Sequence, residues 1–388
     1  MKQFEFKMPT KVKFGVGITA QLGEILKEQG YKKAMIGIGI HLSKTPVLQT
    51  VKDALEKADF PYVVYDEMIP DPTIEQIDEA SDFLKGSGAD VVVAVGGGSS
   101  MDNSKAICML QTNEGSVRDY LFGGTKTVTN PIMPLICLPT TAGSGSEVTA
   151  SSVVTNIQEQ IKLSVTHEYL IPKLAVIDPL LHVGLSPFTT ATTGMDALTH
   201  AIEAYTSLNA QPMSDALALY AIKLISENLR TATADGSNVQ ARSNMAIAST
   251  LAGAAFVNGG LGVVHGIAQS MGGVANVSHG AANALILPYA MRRNLVGNLE
   301  KFKNIAVAMG ENIDGLTLRE AAWLSADAVM QLAQDTYIPL KLTDPKIGIT
   351  RDMFPKIIEG TMAYRLLAIN PCKLNEKDVA DILEAAYE

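Results

Sequence analysis

Residues 91–105 read VVVAVGGGSSMDNSK, an apolar run that passes through three glycines into polar residues compatible with a helix. Residues 91–95 are all β-branched or small, which predicts a strand buried on both faces of a parallel sheet. Gly96, Gly97 and Gly98 lack a Cβ, so their backbone can pass close to a ligand, and the first amides of a following helix favour an anion. The stretch therefore predicts a phosphate-binding turn; a plain strand-to-helix turn is the alternative.

Strand and helix patterns alternate on both sides of this stretch. The N-terminal half carries the predicted strands 34–38, 62–65, 91–95, 134–139 and 174–179 and the predicted helices 47–58 and 73–85. From about residue 189 the periodicity is helical, with long patterns at 214–230, 239–257 and 318–334. The sequence thus predicts an α/β domain with a Rossmann-like parallel sheet over residues 1–185, followed by an all-helical domain over residues 186–388.

A second loop follows the predicted strand at 134–139. It reads Pro139-Thr140-Thr141-Ala142-Gly143-Ser144-Gly145-Ser146, and its hydroxyls suit contacts to phosphate, ribose or amide groups. Two such loops at the carboxyl ends of parallel strands predict a bound nucleotide. Residues 37–42 begin like a dinucleotide fingerprint, but Leu42 stands where the third glycine belongs, so we expect the pyrophosphate at residues 96–98.

Composition narrows the class of protein. The chain has 388 residues, a formal net charge of −9 and no cluster of Lys and Arg, which argues against a nucleic-acid partner. Its three cysteines are scattered, so neither a disulfide framework nor a thiolate metal site is expected. The N-terminus has no apolar signal region and no apolar run reaches membrane-spanning length, so we expect a cytoplasmic protein without a membrane partner.

Four potential metal ligands lie in the helical half. Asp196 and His200 are spaced i, i+4, which places both side chains on one face of a helix. His265 and His279 follow, so that, with His200, three of the six histidines belong to this set and lie in apolar stretches. One carboxylate and three imidazoles suffice to bind a divalent transition metal. Histidines satisfied within the core are the alternative.

With these motifs, the chain resembles the iron-containing, or group III, alcohol dehydrogenase family over essentially its whole length. The resemblance is carried by the glycine run with Ser99, Asp102 and Lys105, by Pro139-Thr140-Thr141 with the following glycines and Glu147, by Asp178-Pro179, and by the four potential ligands. It implies a dehydroquinate synthase-like architecture, with the active site in the cleft between the domains, and a homodimer or larger assembly. It also implies hydride transfer between NAD(H) or NADP(H) and a short-chain alcohol, diol or hydroxyaldehyde.

The resemblance also implies roles for individual residues. Asp196, His200, His265 and His279 would act in catalysis through a bound Fe²⁺, with Zn²⁺ as the other candidate. The residues expected to contact the cofactor are Gly39, Gly96, Gly97, Gly98, Ser99, Asp102, Thr140, Thr141, Ser144 and Lys162.

Two positions bear on specificity. Many members of the family carry a histidine where this chain has Gln269, and glutamine cannot shuttle a proton at neutral pH. NAD-selective members carry an aspartate where this chain has Gly39, so we predict that NADP(H) is accepted. Gln269 and Arg365 are the candidate substrate contacts, Arg365 because a guanidinium can bind an anionic group.

The sequence is also compatible with other functions. Reduction of a short aldehyde bearing a carboxylate or sulfonate, polyol oxidation of the glycerol dehydrogenase type, and a non-catalytic nucleotide-binding protein are the alternatives. Dehydroquinate synthase activity is disfavoured by the sequence Asp196-Ala197-Leu198-Thr199-His200 together with Pro139-Thr140-Thr141.

Overall fold

The computed structural model describes residues 3–70, 72–156 and 161–387. The chain divides into two units. Met8–Thr141 and Ser146–Val183 form the α/β unit, whereas Met1–Lys7, Ala142–Gly145 and Gly184–Glu388 form the helical unit. The domain limits drawn from the sequence, 1–185 and 186–388, stay a prediction of domain organisation.

The α/β unit is built on a six-stranded sheet in the order β1-β8-β5-β4-β2-β3, and every neighbouring pair is parallel. Its strands are β1 (Lys11–Phe14), β2 (Ala34–Gly39), β3 (Tyr62–Met68), β4 (Val91–Gly96), β5 (Leu135–Pro139) and β8 (Leu174–Ile177). Its helices are α1 (Leu22–Glu28), α2 (Pro46–Glu56), α3 (Ile74–Ser87) and α4 (Gly98–Leu110). The predicted fold class of this half is confirmed.

Strand β4 shows why the sheet needs cover on both faces. Val91, Val93 and Val95 pack into one apolar cluster with residues of α1 and α2. Val92 and Ala94 pack into a second cluster with residues of α3 and α4. Alternate side chains of a strand point to opposite faces, so an uninterrupted apolar run is stable only where helices cover both faces.

Three strands have no counterpart among the sequence-based predictions. Strand β1 carries only two apolar residues and pairs on one side, with β8. Strands β6 (Ser151–Asn156) and β7 (Ile161–Thr166) form a separate antiparallel pair. Neither β1 nor the β6–β7 hairpin carries the continuous apolar run by which the predicted strands were recognised, because such a run is required only where a strand is buried on both faces.

The helical unit is made of nine helices in the part of the chain that the structure describes. They are α5 (Pro187–Thr206), α6 (Pro212–Ala234), α7 (Val239–Gly259), α8 (Val263–Ala275), α9 (His279–Asn294), α10 (Leu299–Ala308), α11 (Leu318–Asp335), α12 (Phe354–Met362) and α13 (Glu376–Tyr387). Helix α5 contacts α6, α7 and α9 and is buried along most of its length. Its many alanines and threonines present little side-chain volume, which lets the neighbouring helices approach closely.

Local signals set the start of α5. Ser186 is its N-cap, and the Ser186 hydroxyl accepts a hydrogen bond from the Thr189 amide at 3.1 Å. Pro187 occupies the first helical position, where the missing amide hydrogen carries no cost. These caps fix the register of the helix and therefore the face on which its later polar residues lie.

No single described helix is both long and apolar enough to cross a membrane. Helices α7 and α8 reach the required length and apolar composition only when they are taken together, and the pair is bent by 104° at the break between them.

The close approach of α7 to α5 gives a test of packing in the helical unit. A Cβ on Gly259 would lie 2.7 Å from the Ala204 carbonyl oxygen, a backbone atom that cannot move aside alone. We expect Gly259→Ala to destabilise the protein by about 1–3 kcal/mol, because it overpacks this contact. Gly273→Ala, in α8 with open space around its Cβ, should leave the stability unchanged or slightly raised. Urea unfolding of both variants measures the difference; equal stabilities would contradict the packing argument.

Candidate metal and nucleotide sites

Helix α5 presents three polar side chains on one buried face. Asp196, His200 and Glu203 are spaced by four and three residues, which is the repeat of one helix face. Their exposures are 5%, 5% and 6%. An ionisable group buried this deeply is stable only with partners that replace its hydration, so the surroundings of this face determine what it can do.

The first turns of two other helices converge on this face. His265 lies in the first turn of α8, and His279 is the first residue of α9. One donor atom from each of Asp196, His200, His265 and His279 lies within 4.8 Å of the other three. His265 is buried, whereas the His279 side chain is 49% exposed, so the cluster is accessible on the His279 side. The sequence-predicted ligand set is therefore brought together.

The separations within the cluster suit a shared cation. Asp196 Oδ1 lies 3.7 Å from His279 Nε2 and 4.0 Å from His265 Nε2, and Asp196 Oδ2 lies 4.0 Å from His200 Nδ1. These distances are too long for hydrogen bonds. Donors bound tetrahedrally at about 2.1 Å stand roughly 3.4 Å apart, so a small contraction would close the group on one ion. His200 Nδ1 is buried without a hydrogen-bond partner, as expected of a nitrogen reserved for a metal.

The protonation states of Asp196 and His200 are also those that metal binding requires. Burial lowers the pKa of His200 to about 3, although the Asp196 carboxylate opposes the shift, so this imidazole is neutral at neutral pH. Burial alone would raise the pKa of Asp196, but His200, His279, His265 and the hydrogen bond from Asn283 bring it below its usual value. A neutral imidazole and an ionised carboxylate are the forms that bind divalent ions.

Aromatic stacking orients the rings. The Phe256 ring stacks on His200 with centroids 4.6 Å apart, and His200 stacks on His265 at the same separation, both with interplanar angles of 25°. His265 and His279 are tilted by 55° at 5.3 Å. The stack holds the two buried imidazoles in fixed planes, which preorganises their nitrogens before any ion binds.

Two residues of this site were not assigned from the sequence. Glu203 Oε2 lies 2.6 Å from His265 Nδ1, and Glu203 Oε1 accepts a hydrogen bond from the Val264 amide at 2.7 Å. The Asn283 amide nitrogen donates to Asp196 Oδ1 at 2.7 Å and lies 3.0 Å from His279 Nε2. The available signals were helical spacings, since Glu203 lies three residues after His200 and Asn283 four after His279.

The glycine loop and the start of the second polar loop, Pro139–Thr141, lie side by side in the α/β unit. Strands β4 and β5 are neighbours with Gly96 opposite Pro139, and the Thr140 amide donates to the Gly96 carbonyl at 3.0 Å. A Cβ on Gly97 would lie 3.0 Å from Thr141 Oγ1, so the two loops approach each other closely at this glycine. Helix α4 starts at Gly98, which directs its first amides toward this edge.

Gly39 belongs to the same edge of the sheet. It ends β2, the neighbour of β4, and a Cβ on Gly39 would make ordinary contacts of 3.6 Å with the Met68 carbonyl oxygen and with Ser100 Oγ. A Cβ can therefore be accommodated at this position, close to the start of α4.

Asp102 is engaged in an internal network. Its Oδ1 accepts a hydrogen bond from Ser146 Oγ at 2.6 Å, and its Oδ2 accepts one from the Val153 amide at 3.0 Å. Lys105 is fully buried, with its ammonium 3.5 Å from Asp102 Oδ1, 2.6 Å from Ser146 Oγ and 3.0 Å from Thr149 Oγ1. The network fastens α4 to the segment that follows the second loop. The Asp102 side chain keeps 16% of its surface exposed.

The remaining residues that were predicted to contact the cofactor or the substrate lie in several different segments of the chain. Ser144 is partly buried in the segment Ala142–Gly145, which belongs to the helical unit. Lys162 belongs to β7, but its side chain lies outside the described residues. Gln269 is exposed one turn after His265 on α8. Arg365 is exposed at the start of a short 3₁₀ helix, with no ion pair among the described residues.

Two family models match the chain. One, described as "Iron-containing alcohol dehydrogenase", matches residues 9–179, and the other, "Fe-containing alcohol dehydrogenase family, C-terminal", matches residues 190–387. The 1,3-propanediol dehydrogenase of Citrobacter freundii is 40% identical, with 100% of this chain and 99% of that protein covered. The lactaldehyde reductase of Escherichia coli (strain K12) is 34% identical, with 96% and 97% covered. A crystal structure of a 1,3-propanediol oxidoreductase superposes with a TM-score of 0.95 at 39% identity, with both chains covered completely.

The buried Lys105 gives a test of the network beside the glycine loop. Lys105→Met removes the only cation that contacts Asp102 among the described residues, so we expect a destabilisation of about 3–5 kcal/mol. Lys126→Met is the matched control, because Lys126 pairs with Asp119 at the surface of the same unit and should change the stability little. Chemical unfolding followed by circular dichroism compares the two. A Lys105→Met protein as stable as the control would show that the network contributes little.

Proposed function

The chain belongs to the iron-containing alcohol dehydrogenase family, and we propose that it is a metal-dependent, NAD(P)-linked enzyme for a short-chain alcohol, diol or hydroxyaldehyde. The observation that carries the proposal is the convergence of Asp196, His200, His265 and His279 from three helices. A homodimer or larger assembly is part of the proposal, as the family resemblance implies.

Each part of the site has a defined task in this proposal. Asp196 and the three imidazoles hold one divalent ion, either Fe²⁺ or Zn²⁺, since these donors suit both. When bound, the ion would supply Lewis acidity to the substrate oxygen, and the nicotinamide would exchange a hydride with the carbinol carbon. The substrate oxygen approaches from the His279 side, because that side chain is exposed while the other three are buried.

The surroundings of the cluster control water and protons. Phe256 covers one face of His200 and helps to keep bulk water from the ligands. Gln269 lies one turn beyond His265, where its amide can donate or accept a hydrogen bond but cannot exchange a proton with the substrate at neutral pH. The proton released on alcohol oxidation must therefore leave by another route than this side chain.

The cofactor is proposed to bind at the edge of the α/β sheet. The amides of Gly97, Gly98 and Ser99 lie at the start of α4 and would bind the pyrophosphate. Thr140 and Thr141 contribute hydroxyls from the adjacent loop. Gly39, at the end of β2, leaves room beside the adenosine ribose, so we propose that NADP(H) is accepted as well as NAD(H).

Removal of one ligand tests the metal assignment. We expect one divalent ion per wild-type chain, and His265→Ala should lose most of that metal and nearly all activity, because three remaining donors bind much more weakly. His167→Ala, a histidine of the α/β unit outside the cluster, should keep both. Metal content by elemental analysis and NAD(P)H oxidation with short aldehydes are the measurements. Full metal occupancy in His265→Ala would refute the assignment.

A carboxylate at Gly39 tests the basis of cofactor choice. Gly39→Asp should shift preference toward NAD(H) by more than tenfold in kcat/KM, about 1.4 kcal/mol, because the new carboxylate repels the 2′-phosphate and can accept from the ribose hydroxyls. Gly86→Asp, in α3 with open space around its Cβ, adds the same charge to the unit and should leave the ratio unchanged. Steady-state kinetics with NAD(H) and with NADP(H) measures the ratio of the two kcat/KM values in each variant. An unaltered ratio in Gly39→Asp would mean that this position does not set the preference.

A further inference from the structure

Glu203 connects the metal cluster to the start of helix α8. Its Oε2 lies 2.6 Å from His265 Nδ1, while its Oε1 accepts from the Val264 amide at 2.7 Å. The two oxygens thus contact the ring of His265 and the backbone immediately before it. Because both contacts are short and buried, they fix the side chain of His265 relative to its own helix.

The carboxylate determines which nitrogen of His265 is available. The Glu203 oxygen can only accept, so His265 Nδ1 carries the hydrogen and Nε2 keeps its lone pair. His265 Nε2 is the nitrogen that faces Asp196, 4.0 Å from Oδ1. The hydrogen bond therefore selects the tautomer that can bind a metal.

Charge gives a second reason for the carboxylate. Glu203 is 6% exposed and Asp196 is 5% exposed, and neither forms an ion pair with a lysine or arginine in the described part of the chain. Two buried carboxylates equal the charge of one divalent ion, so an ion in the cluster would make the site neutral. Without Glu203 the buried site would carry an excess positive charge.

The surroundings leave space for this contact. A Cβ on Gly262 would lie 3.0 Å from Glu203 Oε1 and 2.7 Å from Asn370 Oδ1. Asn370 Oδ1 accepts from the Val263 amide at 3.2 Å, so two distant side chains cap the first two amides of α8. Of Glu203 and Asn370, only Glu203 also contacts a histidine of the metal cluster.

From these contacts we infer that Glu203 is a positioning residue for the metal: it fixes the tautomer and orientation of His265 and supplies the second negative charge of the site. The inference rests on the proposed metal site. It places Glu203 outside the ligand set, since it acts through His265 rather than on the ion.

Substitution of Glu203 by glutamine separates positioning from helix capping. If the glutamine oxygen accepts from the Val264 amide, its NH₂ group faces His265 Nδ1, and the hydrogen of His265 must move to Nε2. We expect Glu203→Gln to bind Zn²⁺ roughly 10- to 100-fold more weakly, measured by competition with a chromophoric chelator. Asn370→Ala is the capping control, which should lower the melting temperature of the metal-free protein but change the Zn²⁺ affinity less than threefold. Equal affinities for wild type and Glu203→Gln would overturn the inference.

A measurement on the wild-type protein covers the case in which the variant does not fold. In the ¹⁵N NMR spectrum of the metal-free full-length protein, His265 should show the Nδ1–H tautomer, with its signals assigned by their loss in His265→Asn. An Nε2–H tautomer would overturn the inference. A wild-type protein that takes up no divalent ion would instead overturn the proposed function, so the two failures are distinguishable.

Discussion

The burial of ionisable groups on one face of α5 is the constraint on which the helical unit depends. Asp196, His200 and Glu203 are almost fully removed from water in a layer made largely of alanine, leucine and isoleucine. Transfer of such groups from water is costly unless each finds a partner. The structure meets this cost by bringing the first turns of α8 and α9 to the same place, so that imidazoles and amides replace the lost hydration.

Close helix packing makes this convergence possible. Gly280, directly after His279, has no space for a Cβ, which would lie 2.7 Å from the Thr192 carbonyl oxygen on α5. Gly266, directly after His265, is similarly restricted by Tyr364 at 3.1 Å. A glycine therefore follows each of the two histidines where α8 and α9 meet their neighbours. Gly280 thereby lets the start of α9, which carries His279, approach α5 closely.

In the α/β unit the corresponding constraint is the common direction of the strands. Since β2, β4 and β5 are parallel neighbours, these strands end at one edge of the sheet, with Gly39, Gly96 and Pro139 as their last residues. The same edge receives the first amides of α4 and the hydroxyls of Thr140 and Thr141. Lys105 stabilises this arrangement, because its buried ammonium joins α4 to residues 146–151.

Local patterns in the sequence were sufficient for the central strands, the long helices and the pairing of Asp196 with His200, because each depends on a repeat of two or of 3.6 residues. The short edge strand β1 and the hairpin β6–β7 do not carry such a repeat of apolar residues, and the sequence-based predictions missed them. The contacts of Glu203 could not be predicted, since they join it to Val264 and His265, which lie 61 and 62 residues away in the chain. Asp102 was expected from the family resemblance to contact the cofactor, whereas its pairing with Lys105 and Ser146 could not be predicted, because it depends on how α4 packs on a later segment. Periodicity is a property of a few consecutive residues, whereas these partners meet only when separate helices and loops exclude water together.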